Sequence, residues 1–348
     1  MENLPMKRLL TALLIALSCI VCHTEARNMN TPRIDKLFEK TKPVCFGRFV
    51  LDVPVDAVVV GGPQAFGPNI ESLPNDVKSL ASRAKAKRDE IRAKAHTIDR
   101  AEVISLNEGP TPNSWMLQYW KSDTAKEIGL ETIEGFLAGA PHGFLYRTAT
   151  SENQTTSDIL KKITYVATQL RARDPKEIPT EPGVCLDVGF IADDSGRFQE
   201  IFGIGLRLPE LPDVSFSLSS NKDAQQGDSF EDRRAEAKRA AFLVAPLATL
   251  FNKVKALREG KLTVQQGQGS EALFRRPLED GDGAWHEFQF EYAGKRFDHR
   301  NPSWDATLYT GVAHNRAGAK PSSLTDDEAV ALWDRLMSSV RLRALAKP

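Results

Sequence analysis

Patterns of helical period occur singly in this chain, each set between groups of short runs that alternate apolar and polar residues. Phe49, Leu51 and Val53 alternate and are stopped by Pro54; Trp115, Leu117 and Tyr119 alternate, as do Val214, Phe216 and Leu218, and Phe288, Phe290 and Tyr292. Between them Leu80, Ala84, Ile91 and Ala95 mark one helical stripe, and Ile159, Ile163, Val166 and Leu170 mark another over Ser157–Arg173. Parallel sheets need a crossover helix between successive strands, so this arrangement excludes a doubly wound fold and predicts an α+β one with antiparallel sheets.

Residues 174–183 hold three prolines and no periodicity, which reads as a linker. After it the order of elements starts again. Val184-Cys185-Leu186-Asp187 opens a strand as Val44-Cys45 does earlier, and strands, a long helix, strands and a closing helix follow. The long helix is expected from Glu231 to Glu259, with Leu247, Leu250, Phe251, Val254 and Leu257 on one face and a kink at Pro246. Thr325 and Glu328 form a capping box ahead of Val330, Trp333, Met337 and Val340. The expectation is two consecutive α+β domains, residues 44–173 and 184–345, each an antiparallel sheet with a long helix. They arise from a pseudo-duplication or from two unrelated units.

The N-terminus carries an export signal. Lys7 and Arg8 precede an apolar run from Leu9 to Cys22, and Thr24 and Ala26 are small residues at the positions signal peptidase reads. That run is too short for a membrane-spanning helix, which takes about 20 residues, and no longer one follows. The reading is a signal peptide over 1–26, a leader over 27–43, and a periplasmic protein cut near Ala26. The alternative is a lipoprotein acylated at Cys19. Cleavage removes Cys22 too, leaving Cys45 and Cys185 in an oxidising compartment, where a disulfide between them is expected and two separate buried thiols are the alternative.

Basic and acidic residues number 46 each, and the signal takes two of both, so no charge footprint for nucleic acid remains. No serine sits in a Gly-x-Ser-x-Gly turn, and no phosphate-binding loop is present. His96, His142, His286, His299 and His314 lie far apart, and Asp280-Gly281-Asp282-Gly283 has the form of a hairpin turn rather than a calcium loop. We therefore expect no catalytic, cofactor-binding or metal-ligating residues. The candidate partner-binding residues are Arg296, Phe297, Arg300 and Trp304, in a stretch rich in the types that dominate protein interfaces. For Phe297 and Trp304 the competing reading is that they continue strands into the core.

The segments Cys45-Phe46-Gly47-Arg48-Phe49 with Asp52-Val53-Pro54, Gly183-Val184-Cys185-Leu186-Asp187 with Gly189-Phe190-Ile191, and Trp333 with Ser339-Val340-Arg341-Leu342 resemble the immunity proteins of type VI secretion lipase effectors. The resemblance runs from about residue 44 to 343. It implies a periplasmic, non-enzymatic protein of two α+β domains that binds and inhibits a cognate phospholipase effector, with no nucleic-acid partner and no cofactor. An exported envelope-binding or scaffold protein, or an exported enzyme with dispersed carboxylates, are the alternatives.

Overall fold

The computed structural model describes residues 31–96, 100–225, 227–242, 253–278 and 282–346. The signal peptide over 1–26, Cys19 and residues 27–30 of the leader lie outside the described residues, as do Pro246, Leu247, Leu250 and Phe251 of the expected long helix.

The fold is α+β, and every strand pairing is antiparallel. The first half runs α1 (Pro32–Leu37), β1 (Thr41–Phe46), β2 (Phe49–Pro54), β3 (Val58–Phe66), β4 (Ile70–Leu73) and α2 (Leu80–Ala93). It continues with β5 (Glu102–Glu108), β6 (Trp115–Trp120), α3 (Asp123–Glu127), β7 (Glu131–Gly139), β8 (His142–Ala149), α4 (Thr156–Gln169) and β9 (Leu170–Ala172). The second half runs β10 (Val184–Cys185), β11 (Gly189–Ile191), β12 (Glu200–Leu208), β13 (Leu211–Asn221), α5 (Phe230–Phe242) and β14 (Lys255–Val264). Then come β15 (Gly267–Pro277), β16 (Ala284–Tyr292), β17 (Ser303–Tyr309), α6 (Asp326–Ser339) and β18 (Arg341–Leu342).

The same topology occurs twice. One sheet has the order β5-β6-β7-β8-β4; the other contains β14-β15-β16-β17-β13, with α2 and α5 in corresponding slots of the chain. The closing helices α4 and α6 each have 14 residues and a capping box, Thr155 with Asp158 and Thr325 with Glu328, which satisfies backbone donors at both N-termini. Both end in an extended residue, Leu170 and Val340, and pass straight into β9 and β18.

Those two short strands cross between the halves. β18 pairs with β2, placing Leu342 opposite Phe49, and β9 pairs with β11, placing Ala172 opposite Gly189. β3 also crosses, joining β12 at the end of a seven-stranded sheet. The two halves are therefore interlocked: each donates strands to the other. The main apolar cluster is likewise shared, running from Phe49 and Phe66 through Phe144 to Phe202, Phe288 and Trp333. The segment 174–183 does lie between β9 and β10 without helix or strand, but it is not a loose hinge. The buried Arg173 donates to the carbonyls of Asp174, Pro175 and Glu177, and the buried Arg343 to those of Pro179, Glu181 and Gly183.

The expected helix does not reach Glu259: α5 is described over Phe230–Phe242, and Leu257 belongs to β14, which pairs with β15 along its length. A bulge between Ala256 and Arg258 breaks the two-residue alternation, which left Val254 and Leu257 at a helical spacing of three. Helix α2 covers one face of the five-stranded sheet, with Leu80, Ala84 and Ile91 against Leu117, Tyr119 and Phe136. Helix α6 buries Trp333 edge-on to Phe216 and Phe288, and its indole nitrogen donates to Glu271 at 3.0 Å.

Candidate partner-binding surface

The halves are joined at their opening hairpins. Gly47 and Cys185 exchange both backbone hydrogen bonds, at 2.9 and 2.8 Å, and Cys45 is bonded to Cys185 through sulfur with the Cα atoms 5.9 Å apart. Beside this junction Arg48 makes a two-pronged ion pair with Glu200, at 2.7 and 2.8 Å, and lies 3.8 Å from Asp194.

Asp194 in turn holds the loop that carries the sequence candidates. His299 Nε2 lies 2.7 Å from one of its carboxylate oxygens, and the Arg300 guanidinium donates to the other at 2.5 Å. Burial raises the Asp194 pKa, but the bonds from His299 and Arg300 outweigh it and hold the carboxyl below its ordinary value. Phe297 adopts a φ of 65°, in a region uncommon for side chains of its size, and its amide donates to the Lys222 carbonyl at 2.8 Å. That backbone turns the ring outward, 60% exposed, with the Arg296 guanidinium stacked over it at 4.3 Å. Arg296 and Phe297 thus form one exposed cationic and aromatic patch, and Arg300, exposed three residues on, is tied to Asp194.

Trp304 is not part of it. Trp304, Ala306 and Leu308 share the inward parity of β17, and the indole is 2% exposed, packed on Phe290 at 4.6 Å between ring centres. The alternation that the sequence shows through Ala306 and Leu308 extends back by one step to include it.

A cleft of about 730 Å³ lies where α5 meets the sheet, lined by Glu231, Arg233, Lys261, Ser270, Glu291 and Asp305 among others. Glu231 accepts from Lys261 and from Ser270, which pull its pKa down to about 2. Arg233 pairs with Glu291. Asp305, directly opposite Glu291 across the ladder, opens onto the cleft, yet crowding by the surrounding protein first and the Glu291 charge second push it up to about 6. Sequence reasoning missed the Asp194 cluster and this cleft, because each is assembled from segments distant in the chain.

One arrangement has the outline of a catalytic triad. Thr310 Oγ1 lies 3.0 Å from His286 Nδ1, and Asp326 lies 3.1 Å from His286 Nε2. Thr310 is fully buried and His286 is 2% exposed, so no substrate reaches the hydroxyl, and burial depresses the imidazole pKa. The group ties the start of α6 to the sheet. Among the described residues no cluster of three or more His, Cys, Asp or Glu could hold a metal, and no helix is long and apolar enough to cross a membrane.

Residues 177–345 match the family model described as the C-terminal domain of Tle cognate immunity protein 4. The apo structure of the immunity protein TplEi of the type VI secretion system of Pseudomonas aeruginosa is 27% identical; the likeness covers 90% of this chain and 100% of that one, with a TM-score of 0.73. The crystal structure of a Tle4–Tli4 complex gives 27% identity over 88% of this chain and 98% of the matched chain, with a TM-score of 0.74. TplEi complexed with an "L" peptide gives 26% identity over 87% and 98%, with a TM-score of 0.67. Comparison with curated proteins found no match.

Proposed function

The chain belongs to the family of type VI secretion lipase-effector immunity proteins, and from that membership we propose that it binds a cognate phospholipase effector and inhibits it, protecting the cell that makes it. The observation that carries this reading is the likeness over almost the whole chain to a protein solved in a Tle4–Tli4 complex, at an identity above that of fold likeness alone. Inhibition needs a shaped surface and no chemistry of its own, so the chain acts by binding and not as an enzyme.

The place of action in this reading is the periplasm, after cleavage of residues 1–26 near Ala26, or at the membrane through a lipid on Cys19. The two domains, 44–173 and 184–345, meet at the 174–183 segment. Because Arg173 and Arg343 clamp that segment and the Cys45–Cys185 bond ties the hairpins, they present one preformed surface and not two jaws that close. Arg296, Phe297 and Arg300 belong to the contact: an exposed ring held by a strained backbone and covered by the Arg296 guanidinium costs little side-chain entropy to bury.

The test is calorimetric titration of the mature, oxidised protein with a Tle4-type lipase effector, paired with a phospholipase assay. Tight one-to-one binding with loss of lipase activity is expected. Binding without inhibition leaves an envelope-binding protein, and absence of binding overturns the proposal.

A further inference from the structure

Four strands form the outer edges of the two large sheets, and three of them are guarded. β14 is lined with charges that are already paired: Lys255 with Asp326, Arg258 with Glu271 and Asp334, Glu259 with Arg234, and Lys261 with Glu231. β4 has only four residues. β5 has a bulge between Val103 and Ser105 and is bounded by Glu102 and Glu108. Short length, charge and bulges are the devices that keep open edges from pairing with other chains.

β3 has none of them over its first residues. It pairs with β12 on one side, Val58 opposite Arg207, Val59 opposite Leu206, Val60 opposite Gly205 and Gly61 opposite Ile204. Among the described residues nothing pairs with its other side. Three consecutive β-branched side chains are left in solvent there: Val58 is 53% exposed, Val59 37% and Val60 36%. Val55, just before the strand, is 44% exposed.

We infer that the free edge of β3 from Val58 to Gly62 is a docking edge, to which an extended segment of the effector adds as an eighth strand of the seven-stranded sheet. This rests on the immunity reading above. An open row of backbone N–H and C=O groups is matched only by another extended backbone, and the valines call for apolar side chains beside it. The usable length is set by the chain. Gly62 lies so close to β12 that a Cβ would meet the Gly203 oxygen at 2.4 Å, and Pro63 has no N–H to offer. Five residues at about 3.3 Å each give a strip of roughly 17 Å. Such a strip is a fraction of the roughly 800 Å² per partner that a stable association needs, so self-pairing of two copies through it would be weak. An effector that also covers other parts of the surface does not depend on the strip alone.

The experiment uses the mature, disulfide-bonded protein with a Tle4-type lipase effector. A Val58→Lys/Val60→Lys variant places two charges on side chains that are already exposed. It should keep the wild-type melting temperature and bind the lipase at least 30-fold more weakly. Amide hydrogen exchange on the wild-type complex should show at least tenfold new protection within Val58–Gly62, while free wild-type protein stays monomeric by light scattering. Wild-type binding without that protection, or a variant within threefold of wild type, overturns the edge and leaves the immunity function intact. A wild-type dimer whose edge is protected before any lipase is added assigns the edge to a second copy and also overturns the inference. No binding by the wild type overturns both readings.

Discussion

Cys45 stands opposite Val50 in the first hairpin and Cys185 opposite Phe190 in the second, so the disulfide joins two corresponding positions of a repeated motif. The closing strands support the same correspondence, with Arg341 opposite Val50 and Arg171 opposite Phe190. This junction is where the halves are fastened, and stability is expected to concentrate there.

Replacing both cysteines by alanine frees a loop of 140 residues in the unfolded chain. In the chain-entropy account the loss is about 4 to 5 kcal/mol. Denaturant unfolding of the variant and of the oxidised wild type, compared at equal slope, measures it; a loss under about 1 kcal/mol would mean that the exchanged strands alone hold the junction.

Arg343 donates to three carbonyls of the 174–183 segment, and burial followed by the charge of Arg48 pushes its pKa down to about 10. Arg343→Ala leaves those carbonyls without their donor and should destabilise by about 3 kcal/mol. Limited proteolysis is the second readout, with new cleavage expected between Asp174 and Gly183 only in the variant.

Trp304 and Arg300 should separate folding from binding. Trp304→Ala removes a packed core side chain and is expected to cost about 3 to 5 kcal/mol of folding stability. Arg300→Ala, at the surface beside Asp194, should leave the melting temperature nearly unchanged and weaken effector binding by about 2 kcal/mol. Thermal melts and titrations of the two variants decide whether this division holds.

Asp305 has a folded pKa near 6, above its unfolded value, so the folded state holds the proton more tightly. Its contribution is fully present below about pH 4 and is lost as pH rises through 6. The Asp305→Asn variant cannot make that loss. Its melting temperature should match wild type at pH 4 and exceed it at pH 7; equal values at both pH values would place the carboxyl in free solvent.

Much of the candidate surface was legible from composition and spacing. Arg296, Phe297 and Arg300 lie where a loop between two alternating strands was expected, and the structure exposes them. Trp304 was legible too, by counting back from Ala306 and Leu308, but residue type pulled it toward the surface when parity places it inside. The edge at Val58–Gly62 was not legible, because a run of valines looks the same whether its second neighbour is present or missing.

The sequence by itself determined the α+β class, the two closing helices and the capping box of the second, the parity of the long strands and the two cysteines, Cys45 and Cys185, that follow the N-terminal apolar run. Each of these is written in local spacing, 2 residues for strands and 3.6 for helices, or in residue type. Only the tertiary structure decided that β3, β9 and β18 pair across the halves, that Asp194 gathers His299 and Arg300, and that the linker is clamped. Strands of two or three residues have too few positions to show a period, and their partners are selected by a core that forms only when both halves are together.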